Sequence, residues 1–254
     1  MAPRVQKRFE NKVAIITGAG QGMGKQVALD LSAEGAKVVV IDIVSELLNE
    51  VQSEIENSGG KCISVICDVT SRKQVDEMIQ KTIDTYGRVD ILINNAGLLI
   101  PGTIEETSDE LIDKTLDINV KGVLYAIRAV TPIMKKQRYG RIVNVSSITG
   151  KRGDNSTIFV YGASKGAVIS LTKSAARQLG PFGITVNAIA PHAVMTSLMS
   201  YWDEEKKRKA AEQIPVKRLG TVKDISYLMM FLASDESSYI TGETININGG
   251  YYMD

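Results

Sequence analysis

Residues 12–17, KVAIIT, make a short β-branched run that leads without interruption into the glycine-rich stretch GAGQGMG. Apolar residues at successive positions over that length fit a strand covered on both faces, as in a parallel sheet. Over residues 25–33 the apolar Val27, Ala28 and Leu31 recur at helical spacing, and Gly35 stops the helix. A second buried run, residues 37–41, ends at Asp42. Strand, glycine turn, helix and strand make a βαβ unit, whose parallel crossover is right-handed.

The alternation continues to the end of the sequence. Helical patterns over 47–57 and 74–86 close at Gly59–Gly60 and Gly87, and strand patterns cover 62–66 and 89–93. Ser108 or Asp109 caps a helical segment that continues past Asn119 towards Pro132 and Met134. A strand over 141–147 ends in two hydroxyls, and a helix starts at about residue 159. Strands follow at 184–189 and 244–247, with a polar, partly helical excursion at 196–220 and a helix over 222–233 between them. With no linker, repeat or low-complexity tract, residues 1–254 are expected to form one doubly wound α/β domain.

Composition limits the partners. A net charge of +1 gives no electrostatic reason to expect nucleic acid or an anionic membrane. The N-terminal MAPRVQKRFENK lacks the apolar core of a secretory signal, and no apolar run is long enough to span a bilayer, so a cytoplasmic location is expected. Cys62 and Cys67 are oddly spaced in one strand pattern, which puts them on opposite faces and argues against a disulfide. No metal is expected.

Two features suggest chemistry. Tyr161 and Lys165, four apart on a helix, lie on one face about a turn apart. A fixed ammonium there favours phenolate over phenol. Bringing a phenol of ordinary pKa about 10 towards neutrality takes about 3 to 4 kcal/mol of differential interaction. The pair is then a candidate general acid or base, with a strand-end serine able to hydrogen-bond the same reacting oxygen. The other feature is the turn Thr17–Gly24. Glycines between strand and helix let backbone approach a pyrophosphate, whose charge the helix N-terminus stabilises. Asp42, ending the second strand, can accept hydrogen bonds from both ribose hydroxyls and would repel a 2′-phosphate, which favours NAD over NADP. Gln21, where a basic residue could have met that phosphate, agrees.

With TGAGQGMG at 17–24, Asp68, NNAG at 94–97, Asn119, Ser147 and the YxxxK pair Tyr161–Lys165, the chain resembles the short-chain dehydrogenase/reductase family over nearly its whole length. The resemblance implies a Rossmann-type domain with a mostly parallel seven-stranded sheet. Its implied catalytic residues are Asn119, Ser147, Tyr161 and Lys165. Tyr161 exchanges a proton with the substrate oxygen while the nicotinamide of NAD(H) exchanges a hydride with its carbon. Lys165 lowers the tyrosine pKa and binds the nicotinamide ribose, Ser147 positions the substrate oxygen, and Asn119 holds a water. Ser146 is the neighbouring alternative to Ser147. Implied cofactor contacts begin with the turn, at Gly18, Gln21, Gly22, Met23 and Gly24. They continue through Asp42 with Ile43, Asp68 with Val69, and Asn95, Ala96 and Gly97. At the nicotinamide end come Tyr161, Lys165, Pro191 and Thr196.

The family usually has Pro-Gly where this chain has Pro191-His192, so its only histidine is either a partly exposed loop residue or a contact to substrate or cofactor. Lys151, Arg152 and His192 could form a cationic rim for an anionic substrate, or the arginine is solvated or pairs with Asp154. A flap at about 195–220 carries Met195, Leu198, Met199, Tyr201 and Trp202, as an apolar lid or as packing against the domain. Arg152, His192, Met199 and Trp202 are the candidate substrate residues. Asp203 with Lys207, Glu204 with Arg208 and Glu205 with Lys209 read as i, i+4 pairs on a solvated helix face. The leading expectation is an NAD-dependent oxidoreductase for a small secondary alcohol or ketone of the polyol, sugar or hydroxy acid class. Reduction of carrier-bound 3-oxoacyl chains is the runner-up; it usually goes with NADPH, which Asp42 disfavours. A catalytically silent dinucleotide sensor would show erosion of the catalytic set, and all four positions are filled. The resemblance also implies a homodimer or homotetramer paired through the helices at 116–133 and 163–179, with the tail GGYYMD at a second interface.

Overall fold

A computed structural model describes residues 7–154, 156–196, 199 and 202–254. Its first half alternates β1 (Val13–Thr17), α1 (Gly22–Ala33), β2 (Lys37–Asp42), α2 (Ser45–Asn57), β3 (Lys61–Ile66), α3 (Arg72–Tyr86) and β4 (Ile91–Asn94). Then come α4 (Asp109–Leu116), α5 (Gly122–Gln137), β5 (Gly140–Val145), α6 (Thr149–Arg152), α7 (Phe159–Leu179) and β6 (Ile184–Pro191). The last part holds β7 (Val194–Met195), α8 (Glu204–Gln213), β8 (Gly220–Thr221), α9 (Val222–Ala233) and β9 (Thr244–Ile247).

Seven strands form one parallel sheet in the order β3-β2-β1-β4-β5-β6-β9, the doubly wound arrangement expected. The order reverses between β1 and β4, which opens a crevice at the carboxyl ends of those strands. Helices cover both faces, and strand parity sorts the core. Ala14, Ile16, Val38, Val40, Ile91 and Ile93 pack on the side of α1 and α9. Val13, Ile15, Val39, Ile41, Leu92 and Ile142 pack on the side of α3, α5 and α7. Each Val, Ile or Leu among them contributes about 1.5–3 kcal/mol by burial, which explains why these strands are apolar at every position. Cys62 and Cys67 are free thiols buried in different clusters.

Local signals explain the helix ends. The Ser71 and Ser108 hydroxyls cap α3 and α4 by accepting from the N–H groups of Gln74 and Leu111, and left-handed Gly87 closes α3. Thr221 and Asp224 form a capping box at α9. Three features depart from expectation. A π-helical turn, Asp117–Lys121, interrupts the helix that was expected to run through Asn119. The loop after Ser147 contains α6. Finally, β7 and β8 pair in parallel and close the base of the excursion at 196–220.

Candidate active site

The turn after β1 is tied to the segment after β4. The Thr17 hydroxyl accepts from the N–H groups of Asn95 and Ala96, each at 3.0 Å. The Asn95 amide donates to the carbonyls of Thr17 at 3.0 Å and Gly18 at 2.9 Å. A Cβ on Gly24 would stand 2.2 Å from the Gly18 carbonyl oxygen, so only glycine fits. Gly22 is left-handed at φ +58, and a Cβ on it would meet Thr196 alone, at 3.6 Å. Met23 packs against the core beneath. Helix α1 has Gln21 as an extended N-cap, no side-chain cap and no acid in its first turn. Asn95 Oδ1 is buried and has no hydrogen-bond partner among the described residues. Backbone donors at a helix start, with glycines permitting close approach, suit a pyrophosphate.

Asp42 turns its carboxylate onto this turn. One oxygen accepts from Gly20 N–H at 3.0 Å, and the other from Ile43 at 2.8 Å and Val44 at 3.3 Å. Cys67 N–H donates to the Asp42 carbonyl at 3.0 Å, which brings Asp68 to the same edge. There the Asp68 carboxylate holds the Thr70 N–H and hydroxyl, Val69 is buried against Gly122, and Ile43 leaves 67% of its surface exposed.

Deeper in the crevice Gly97, Asn119 and Lys165 converge. A Cβ on Gly97 would lie 3.3 Å from Lys165 Nζ and 3.4 Å from Asn119 Oδ1. Asn119 accepts from Leu98 N–H at 2.7 Å and donates to the Leu98 carbonyl at 2.9 Å and to Ser164 Oγ at 3.0 Å. Ser164 donates to the Tyr161 carbonyl at 2.7 Å, coupling the π-helical turn to α7. Lys165 Nζ donates to the Val145 carbonyl at 2.8 Å. The Ser146 hydroxyl donates to the Lys165 carbonyl at 2.8 Å and so faces the helix. Ser147 accepts from Thr149 N–H at 3.1 Å, and its hydroxyl acts on the Tyr161 phenol against the effect of burial.

Burial dominates the electrostatics. It pushes the Tyr161 phenol up to about 12, with the Ser147 hydrogen bond acting the other way and the Asp154 carboxylate adding to the rise. Burial also brings the Lys165 ammonium down to about 8. The expected acidification of the phenol by Lys165 is therefore not met in the protein alone. Nζ is bound to Val145, 5.9 Å from the centre of the phenol ring, and loss of hydration outweighs its charge. Burial thus favours the neutral form of both groups, the phenol strongly.

At the rim, Lys151, Arg152 and His192 each have partners within the chain. Lys151 is tied to Asp254 at 2.5 Å and to the Thr244 carbonyl at 3.1 Å. His192 stacks on Tyr251, with ring centres 3.9 Å apart and planes 18° apart, and Arg152 lies 5.0 Å from the centre of the same ring. Burial, then the Arg152 charge, hold His192 down to about 4, so it is neutral; Asp154 opposes them. Through Tyr251 and Asp254 the tail lies on the rim of its own site. In the excursion after Thr196, Met199 N–H bonds the Thr196 carbonyl and Trp202 N–H the Met199 carbonyl, each at 3.0 Å, and the Lys206 ammonium sits 4.8 Å over the Trp202 ring. Leu198 and Tyr201 lie outside the described residues. On α8, Lys209 pairs with Glu205, as spaced, but Asp203 caps the helix through Lys206 N–H, Lys207 pairs with Glu204, and Arg208 with Glu205 and Glu212.

A family model described as enoyl-(acyl carrier protein) reductase matches residues 18–252. The 3-oxoacyl-[acyl-carrier-protein] reductase FabG of Thermotoga maritima is 41% identical over 243 residues, which is 96% of this chain and 98% of its own. The chain belongs to the short-chain dehydrogenase/reductase family. Within this family it is also 41% identical over 244 residues to FabG of Staphylococcus epidermidis, covering 96% of this chain and 100% of that one. An uncharacterized oxidoreductase of T. maritima is 42% identical over 248 residues, 95% of this chain and 98% of its own. The crystal structure of levodione reductase superposes with a TM-score of 0.89 at 34% identity, over 96% of this chain and 98% of that one. The protein is an oxidoreductase of the short-chain dehydrogenase/reductase type. Motif reading missed Ser164, Tyr251 and Asp254. Only the YGASK context of Ser164 carried a signal, since the other two reach the rim from the far end of the sequence.

Proposed function

We propose that this short-chain dehydrogenase/reductase moves a hydride between NAD(H) and a secondary alcohol or its ketone. The burial of Ser147, Tyr161 and Lys165 together, with Ser147 acting on the phenol and Lys165 Nζ beside Gly97, carries this reading. When bound, the nicotinamide supplies or accepts the hydride. Tyr161 gives a proton to the ketone oxygen or takes one from the alcohol, and its protonated state suits reduction. Ser147 orients that oxygen, Lys165 holds its charge and the ribose beside the phenol, and Asn119 holds Leu98 and α7 in register and, with a water, continues the proton path. Gly18, Gln21, Gly22, Met23 and Gly24 would cradle the pyrophosphate, and Asp42, Ile43, Asp68 and Val69 the adenosine. Asn95, Ala96, Gly97, Pro191 and Thr196 would line the way to the nicotinamide.

The relatives' names support a 3-oxoacyl group on a carrier as substrate more strongly than a polyol, sugar or hydroxy acid. That takes the runner-up substrate ahead of the leading expectation. For the cofactor, the Asp42 carboxylate 3.0 Å from Gly20 N–H supports NAD, because a 2′-phosphate at this edge meets like charge. Residues 195–220 act as the substrate flap in a single domain spanning residues 1–254. The chain works as a homodimer or homotetramer paired through α5 and α7, which the exposed Leu124 and Phe159 support. The test is a steady-state screen with NADH and NADPH against acetoacetyl-CoA and a panel of small ketones and alcohols. NADH-dependent reduction is expected, with Asp42→Ala weakening NADH and admitting NADPH. A wild-type preference for NADPH overturns the cofactor choice, and no turnover with any pair overturns the reaction.

A further inference from the structure

Tyr251 is where the far end of the sequence returns to the site. Strand β9 ends at Ile247, opposite Pro191 of β6. Gly249 and Gly250, left-handed at φ +65 and +86, then reverse the chain. A Cβ on Gly249 would come within 2.6 Å of both Ile214 and Val216, so only glycine permits the turn. Asn248 fixes it, accepting from Gly250 N–H and donating to the Tyr252 carbonyl, each at 2.9 Å. The Tyr251 ring is thereby laid on His192 with Arg152 over it. Ile148 N–H donates to the Pro191 carbonyl at 3.0 Å, so Ser147 and His192 each lie one residue from the same hydrogen bond.

We infer that Tyr251 is a specificity-determining positioning residue: it holds Arg152 and His192 as a fixed wall of hydrogen-bond donors beside Ser147, which recognises a second acceptor oxygen on the ketone. Stacking fixes the imidazole plane, and a guanidinium over an aromatic face keeps its N–H fork in one orientation. The ion pair of Lys151 with Asp254 anchors α6, which carries Arg152, to the same tail. Neutral His192 still offers one N–H. Arg152 and Asp154 are the charged groups acting on the imidazole, so the wall favours an acceptor without requiring a net negative charge. The inference rests on ketone reduction at Tyr161.

The test compares ethyl acetoacetate, which has a second carbonyl, with 2-hexanone, which has none, in the wild type, Tyr251→Phe, Tyr251→Leu and Arg152→Met. The wild type is expected to show the lower KM for ethyl acetoacetate. Tyr251→Leu and Arg152→Met raise that KM about tenfold, the scale of one lost oriented donor. Their kcat stays within about threefold and their KM for 2-hexanone is unchanged, as for loss of uniform binding. Tyr251→Phe behaves as wild type. The one histidine of the sequence reports the stack directly, its ring-proton NMR resonance being shifted upfield by Tyr251 and losing that shift in Tyr251→Leu. An unchanged KM ratio in both Tyr251→Leu and Arg152→Met, or an unshifted imidazole in the wild type, overturns the inference. The exposed Arg152 keeps the test open should Tyr251→Leu fold poorly. Turnover that does not depend on Tyr161 contradicts the proposed reaction instead, and Tyr161-dependent turnover with no change at Tyr251 or Arg152 contradicts this inference alone. A wild type that reduces neither probe counts against both.

Discussion

His192 occupies the wall of the crevice in the state burial dictates. Its folded pKa, about 4, lies below the ordinary value of 6.5, so between those pH values the folded chain binds fewer protons than the unfolded one. Stability at His192 is therefore fully present above pH 6.5 and is lost as pH falls through that window. His192→Phe keeps a ring for Tyr251 and removes the titration. Urea midpoints from pH 4 to 6.5 are expected to fall less steeply in His192→Phe than in wild type, and parallel profiles would contradict the assignment. The same desolvation sets Tyr161 and Lys165, whose spacing was legible in the sequence while the direction of the phenol shift was not. Two residues four apart announce proximity but say nothing of how much water reaches them. Only the family resemblance favoured Ser147 over Ser146, and the Lys165 carbonyl takes up the Ser146 hydroxyl.

Among the elements, α6 and α7 decide where Ser147 meets Tyr161. They approach through two glycines. A Cβ on Gly150 would lie 2.6 Å from the Lys165 carbonyl carbon and 2.7 Å from Gly166 N, whereas a Cβ on Gly166 would stand 3.3 Å from the Gly150 carbonyl oxygen. Gly150→Ala is expected to cost about 1–3 kcal/mol by overpacking and to lower kcat by moving Ser147 off the phenol. Gly166→Ala is expected to do much less of both. Thermal melts with steady-state kinetics check this, and wild-type kcat in Gly150→Ala would count against the packing described. The glycine turn, the Ser108 cap and most strand positions could be read from local pattern. The π-helical turn at Asn119 could not, because one extra residue in a helix leaves the apolar period almost unchanged. Helix α6 is a single turn, too short for any periodicity, and β7 with β8 are pairs of residues joined across the excursion.

Across the whole molecule, the reversal of strand order between β1 and β4 creates the crevice, and segments far apart in sequence meet along the same edge of the sheet. The alternation of buried runs and helices made that architecture legible, since a parallel sheet covered on both faces leaves few other arrangements. Contacts such as Tyr251 on His192 were not legible, because they depend on β6 and β9 lying side by side. The central claim is that a dinucleotide lies in this crevice and that the Tyr161 phenol serves as the proton donor to a carbonyl beside it. Its most direct test is to measure NADH affinity and single-turnover ketone reduction in wild type and Tyr161→Phe. Equal affinity with a rate loss of about 10² to 10⁴ is the expected result; reduction at the wild-type rate by Tyr161→Phe would contradict the account.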